Sequence, residues 1–142
     1  MNKNITKKIL AVLLFFGNQA FSTPSSSYVV SKEELASICA LSTTANFPIS
    51  IETLQLYPIS DTLLESINDL IAIFWNEYAL HVDEITIPKK EFALKFLKNM
   101  NKNMQIRIQN LGINDPQVKA LVWIMWGYAL LVIHYQIMHT LT

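Results

Sequence analysis

The residues best placed to do chemistry are a glutamate and a histidine four positions apart. A helix would bring Glu77 and His81 onto one face, and Asp83 and Glu84 follow closely. Imidazole and carboxylate groups are ligands that zinc accepts, but a zinc site needs three or four that converge. The group is therefore a weak metal candidate and the basis of a lesser alternative, a metal-binding or enzymatic protein. Its simpler interpretation is a histidine at the C-terminal end of a helix, where the dipole favours a cation.

A second candidate is His134, which could ligate haem inside a helical bundle with Met100 or Met104 opposite. Methionine at helical spacing more often fills a core. The sequence contains no Gly-rich phosphate loop, Cys-x-x-Cys, His-Glu-x-x-His or Gly-x-Ser-x-Gly motif. We therefore expect no cofactor and no enzymatic activity.

Cys39 is the only cysteine of the chain. One cysteine cannot crosslink its own chain, so the alternatives are a small buried side chain or a disulfide between two copies. Its helical spacing from Leu35 and Ile38 favours burial.

The charges are segregated along the sequence. Nine carboxylates and no Lys or Arg lie between Glu33 and Pro88, whereas six basic residues and one acid lie between Lys89 and Arg107. Helical spacing gathers part of each set into a stripe: the acidic stripe is Asp61, Glu65 and Asp69, and the basic stripe is Lys95, Lys98 and Lys102. The stripes either face each other or water, where ion pairs add little, or they dock a partner of opposite charge.

The elements that position these residues begin after a predicted signal peptide, residues 1–22. Three lysines precede the short apolar run of residues 9–17, and "AFS" suits cleavage after Ser22. Residues 23–30 are then a polar linker, and residues 31–142 form one helical domain. We expect a periplasmic or secreted protein, with a membrane-anchored one as the alternative.

Composition narrows the class of protein. Of the 142 residues, 51% are apolar and 15% charged, which excludes a disordered chain. Three of the 11 basic residues lie in the signal peptide, which leaves 8 against 11 acidic residues, a net charge of −3. A nucleic-acid binder would be basic.

Capping signals and apolar periodicity predict an all-α bundle of four to five helices. Ser31 with Glu34 opens the first helix, which is expected to end near Ala45. A short helix over residues 49–59 is favoured over extended chain. The later helices are opened by Thr62 with Glu65, by Pro88, and by Asp115 with Pro116. Gly112 is expected to end the third in a left-handed conformation.

Residues 118–138 are long and apolar enough to cross a membrane. His134 and Gln136 would then be costly, and the flanking charges oppose the positive-inside tendency. We interpret the segment as the core helix of the bundle. Its excess hydrophobicity predicts interface aromatics at Trp123, Trp126 and Tyr135.

The sequence as a whole indicates a small exported module that binds a protein, of inhibitor, immunity or chaperone-adaptor type. The partner would be an exported toxin or effector or a component of the envelope. A homodimer and peripheral membrane contact are further interactions that the sequence allows. The main alternative is an accessory subunit of an envelope complex, inserted through residues 118–138.

Overall fold

The computed structural model describes residues 29–41, 56–84 and 86–141. These residues form four α-helices: α1 (Lys32–Leu41), α2 (Asp61–His81), α3 (Lys89–Asn110) and α4 (Pro116–Thr140). A short 3-10 helix, Val82–Glu84, follows α2. The all-α prediction is confirmed for this part of the chain. The signal peptide, most of the linker, the end of the first predicted helix and most of the segment 49–59 lie outside the described residues.

Short-range hydrogen bonds determine where the helices begin. The Glu34 N–H donates to Ser31 Oγ over 3.1 Å, as the capping signal predicts. The expected cap of α2, Thr62, is wrong: the Leu63 N–H donates to Ser60 Oγ instead, over 3.1 Å. Ser60 has the extended backbone that a cap requires, and starting at Asp61 makes Thr62 part of the first turn.

The connections around α3 follow the predicted turn chemistry. Pro88 lies one residue before α3 rather than in its first turn. Gly112 has a φ of 62°, which confirms the left-handed conformation beyond the end of α3. Asp115 caps α4, because its carboxylate accepts from the Gln117 N–H over 2.9 Å, and Pro116 is the first helical residue.

α4 is the centre of the bundle. The other three helices all pack on it, and fourteen of its residues are buried around its whole circumference. Within residues 29–41, 56–84 and 86–141, α4 is the one helix whose length and composition would allow it to cross a membrane. The other helices bury most of it, as expected for a core helix.

α2 and α3 form an antiparallel pair beside α4. Phe74 contacts Phe96 and Tyr78 contacts Phe92, each with ring centroids 5.5 Å apart. Tyr78 also donates a hydrogen bond to the Lys89 carbonyl oxygen, over 3.4 Å. These contacts hold the two helices together at the end where they are connected.

The chain entering α1 is held on the opposite side of α2. The Val30 N–H donates to Asn68 Oδ1 over 2.8 Å, and Asn68 Nδ2 donates back to the Val30 carbonyl over 3.0 Å. Val30, before the cap, and Leu35, in the first turns of α1, are both buried. Cys39 is buried as well, and burial raises the pKa of its thiol. A disulfide to another chain would require this region to open.

Candidate functional site

A cleft with a volume of about 530 Å³ lies between α2 and α3. Its walls come from the two helices alone. α2 and α3 touch each other less than each touches α4, so space remains between them away from their aromatic contacts. The lining residues are Leu70, Ile73, Glu77 and Leu80 of α2, with Phe96, Asn99, Met100, Asn103, Met104 and Arg107 of α3.

The cleft is apolar in its depth and open at its mouth. Leu70 and Met104 are buried and belong to the main core, whereas Met100 and Phe96 are only partly covered. Leu80 is 70% exposed at one end. Its side chain adds exposed apolar surface next to the apolar lining of the cleft.

Two charged residues line the cleft, one on each wall. Glu77 belongs to α2 and Arg107 to α3, and Asn99 and Asn103 add polar groups on the α3 side. The lining therefore carries one charge of each sign, the carboxylate on α2 and the guanidinium on α3. Charges around an apolar surface select a partner and its orientation more than they raise affinity.

The acidic stripe runs from α1 to the edge of this cleft. Asp61 pairs with Lys32 over 2.7 Å, but both groups are largely exposed, so the pair adds little stability. Asp69 is half-buried and lies one turn before Ile73, which lines the cleft. Burial, and secondarily the charge of Glu65, raises the pKa of Asp69.

The basic stripe borders the opposite wall. Lys95 lies four positions before Asn99 and Lys102 three after it, so both flank a residue that lines the cleft. Lys95 also contacts Glu91 over 3.5 Å. Neither this ion pair nor the one at Asp61 joins the two stripes. None of the six stripe residues lines the cleft, but Asp69 of the acidic stripe and Lys95 and Lys102 of the basic stripe each lie one turn from a residue that does.

The three aromatic candidates occupy different environments. Trp126 is only 1% exposed, and its indole N–H donates to Asn101 Oδ1 over 2.9 Å, so this side chain is a core residue and not a surface anchor. Trp123 and Tyr135 are partly exposed on the same helix. Tyr135 stacks against His139 with ring centroids 4.2 Å apart.

The metal and haem candidates do not come together in the described structure. His81 is exposed, and its ring centroid lies 6.1 Å from that of Phe96. Within the described ranges there is no group of three or more His, Cys, Asp or Glu side chains that could hold a metal ion. Met100 and Met104 line the cleft on its α3 side. His134 lies half-buried on α4, and burial lowers the pKa of its imidazole.

Sequence reasoning did not identify Leu80 or Arg107 as site residues. Helical spacing predicts an apolar stripe on α2 made of Leu63, Ile67, Leu70, Ile71, Phe74 and Tyr78. Leu80 lies off this stripe, which is a signal that could have been used. Arg107 carried no comparable signal, because its place in the lining depends on how α3 packs against α2.

No protein-family model, curated protein or solved structure matches this chain. The site is therefore interpreted from its own residues.

Proposed function

We propose that this protein is a small exported module that binds another protein, of the inhibitor, immunity or chaperone-adaptor type. The observation that carries the proposal is the α2–α3 cleft, an apolar depression whose lining carries a carboxylate on α2 and a guanidinium on α3. Asp69 of the acidic stripe and Lys95 and Lys102 of the basic stripe each lie one turn from that lining. The partner is an exported effector or an envelope protein, since the predicted signal peptide sends the chain out of the cytoplasm.

The surface chemistry supports a protein as the ligand. Protein interfaces combine an apolar centre with a polar, charged rim. Here Leu80, Met100 and Phe96 supply the centre, and charged side chains on both helices supply the rim. A nucleic-acid surface would require basic residues without the facing carboxylates.

A membrane-associated accessory subunit is the second candidate, favoured by the length and apolar character of α4. It requires α4 to leave the centre of the bundle, where α1, α2 and α3 now cover it. Carbonate extraction of a membrane fraction separates the two candidates. Release of the protein supports the binding module, and retention in the pellet supports insertion.

The binding function is tested by crosslinking in the native cell envelope. A photo-crosslinking residue is placed at Leu80, beside the cleft, or at Met138, which is 43% exposed on α4 and serves as the matched control. We expect one discrete protein adduct from position 80 and none from position 138. Neutralising the acidic stripe with Asp61→Asn, Glu65→Gln and Asp69→Asn is expected to weaken that adduct. No adduct from position 80, or one that survives the triple substitution unchanged, contradicts charge-complementary docking.

A further inference from the structure

We propose that the α2–α3 cleft binds one amphipathic helix of the partner protein. That helix is about three turns long, with an apolar stripe of Leu or Met bordered by basic residues on one side and acidic residues on the other. The inference rests on the proposed function and specifies the form of its ligand.

The length of the cleft defines the length of the occupant. On α2 the lining runs from Leu70 to Leu80, and on α3 from Phe96 to Arg107. At a rise of 1.5 Å per residue, each wall is roughly 15 Å long, which is about three helical turns. An occupant of this length places apolar side chains at positions i, i+3 or i+4, and i+7 against the walls.

The apolar lining suits a convex, irregular ligand. Met100 and Met104 have flexible, polarizable side chains that adapt to the shape of what they contact. Leu80 stands largely exposed where an incoming side chain would cover it. Helix-in-groove recognition uses this combination of an apolar depression with side chains that repack around the ligand.

The charges determine what borders the apolar stripe of the ligand. On α2, Glu77 lines the cleft and Asp69 lies one turn before Ile73 of the lining, so this side is acidic. On α3, Arg107 lines the cleft and Lys95 and Lys102 lie one turn from Asn99 of the lining, so this side is basic. A helix with lysines along both borders would meet repulsion from α3, and one with glutamates along both borders would meet it from α2. Only a helix with one basic and one acidic border matches both walls.

A second copy of this chain is a poorer occupant. A two-fold axis that matched the α2 wall of one copy to the α3 wall of the other would set two concave surfaces face to face. Both apolar depressions would then stay unfilled at the centre of the interface. A protruding helix fills the cleft and satisfies its charges together.

The first test uses three synthetic peptides with an identical apolar stripe, each held helical by a crosslink on its solvent side. Their borders are Lys on one side and Glu on the other, Lys on both, or Glu on both. Calorimetric titration of the purified chain is expected to show that the mixed-border peptide binds at least about tenfold more tightly than either of the others, with the preference reduced at high salt. Equal affinities, or the tightest binding by a uniformly charged peptide, would overturn the inference.

Two variants locate the binding. Leu80→Gln removes the exposed apolar contact. It is expected to lower the affinity for the mixed-border peptide about tenfold, since burying one apolar side chain contributes on that order. Met138→Gln makes the same kind of change on α4 and is expected to leave binding unaltered. Urea denaturation verifies that both variants fold. If Leu80→Gln leaves the affinity intact, the cleft is not the site.

A change of preference gives a test that misfolding cannot imitate. Glu77→Lys replaces the carboxylate that lines the α2 wall with a positive charge while Asp69 remains, so the variant is expected to lose most of its preference for the mixed-border peptide over the peptide with Glu on both borders. A preference of unchanged size contradicts the charge argument.

The outcomes separate this inference from the proposed function. If the native partner still crosslinks at Leu80 but the chain does not distinguish the peptides, the protein-binding function stands and the helical ligand falls. A dimer in sedimentation experiments that Leu80→Gln dissociates would instead assign the cleft to a second copy.

Discussion

The helices α2, α3 and α4 are similar in length, but α4 buries its apolar side chains differently from the other two. α4 has apolar side chains on every side and buries nearly all of its middle. α2 and α3 bury one face against α4 and leave another to line an open cleft. Trp126 and Leu80 illustrate the difference, since the first is 1% exposed and the second 70%.

The comparison shows which residues are constrained by folding and which are available for binding. A helix covered on all sides gains its stability from packing, so its substitutions are costly. The outer faces of α2 and α3 carry like charges at helical spacing, which cost a little stability instead of adding any.

The largest effect is expected at the centre of α4. Trp126→Ala removes a buried indole and leaves a cavity, so the free energy of unfolding is expected to fall by about 3–5 kcal/mol in urea denaturation. Trp123→Ala, at a partly exposed position of the same helix, serves as the control and should lose distinctly less. Equal losses would mean that the two sides of α4 are equally buried.

A smaller effect on the free energy of unfolding is expected from the hydrogen bond between α2 and α4. Trp75 donates from its indole N–H to Gln136 Oε1 over 2.6 Å, and Gln136 is buried. A double-mutant cycle of Trp75→Phe and Gln136→Leu is expected to give a coupling of about 1 kcal/mol, because the bond is lost once in either variant. Strictly additive losses would show that this hydrogen bond does not hold the helices together.

Gly112, in the connection between α3 and α4, is expected to tolerate substitution poorly although the space around it is open. Nothing lies within 4 Å of a Cβ placed at Gly112. Gly112→Ala is nevertheless expected to cost about 1–2 kcal/mol, because the left-handed backbone strains a residue with a Cβ. Gly112→Asn should recover part of the loss in thermal denaturation, and a neutral Gly112→Ala would contradict the backbone explanation.

The pH dependence of stability probes the half-buried side of α4. Burial lowers the pKa of His134 in the folded chain, so the unfolded chain binds its proton more readily. Stability is therefore expected to fall as the pH drops below about 6.5, the ordinary pKa of histidine. His134→Leu should flatten this slope in urea titrations across the same pH range. A slope that the substitution leaves untouched would assign it to other groups.

The smallest effect, an increase in stability, is expected from a substitution at Asp69, beside the cleft. Because burial and Glu65 raise the pKa of Asp69, its ionised form opposes folding once the pH exceeds that pKa. Asp69→Asn is expected to stabilise the chain near neutral pH by about 0.2–0.5 kcal/mol, the usual size of a like-charge effect at this spacing. The gain should vanish in acid, where the wild-type carboxyl is protonated in both states. Destabilisation at neutral pH would show that Asp69 contributes to the fold.

Local sequence signals predicted most of the helix limits, since caps depend on neighbours within a few residues. Ser31, Gly112 and Asp115 act as expected, and the exception at α2 arose because Ser60 and Thr62 are both chemically competent caps. The apolar stripe of α2 is also found where predicted. The apolar residues of α3 are shared between two surfaces. Leu97 belongs to the core and is buried, whereas Met100 lines the cleft and is only partly covered.

The sequence by itself determined that the described chain is helical, where most of its helices begin, that Gly112 follows the end of α3, and that like charges recur at helical spacing on α2 and on α3. These properties follow from hydrogen bonds and side-chain spacing within single segments. Only the tertiary structure decided that Trp126 lies inside while Leu80 lies outside, and that members of both stripes lie one turn from the lining of one cleft. Those outcomes depend on how α2 and α3 rotate about their axes as they pack on α4, which no single segment specifies.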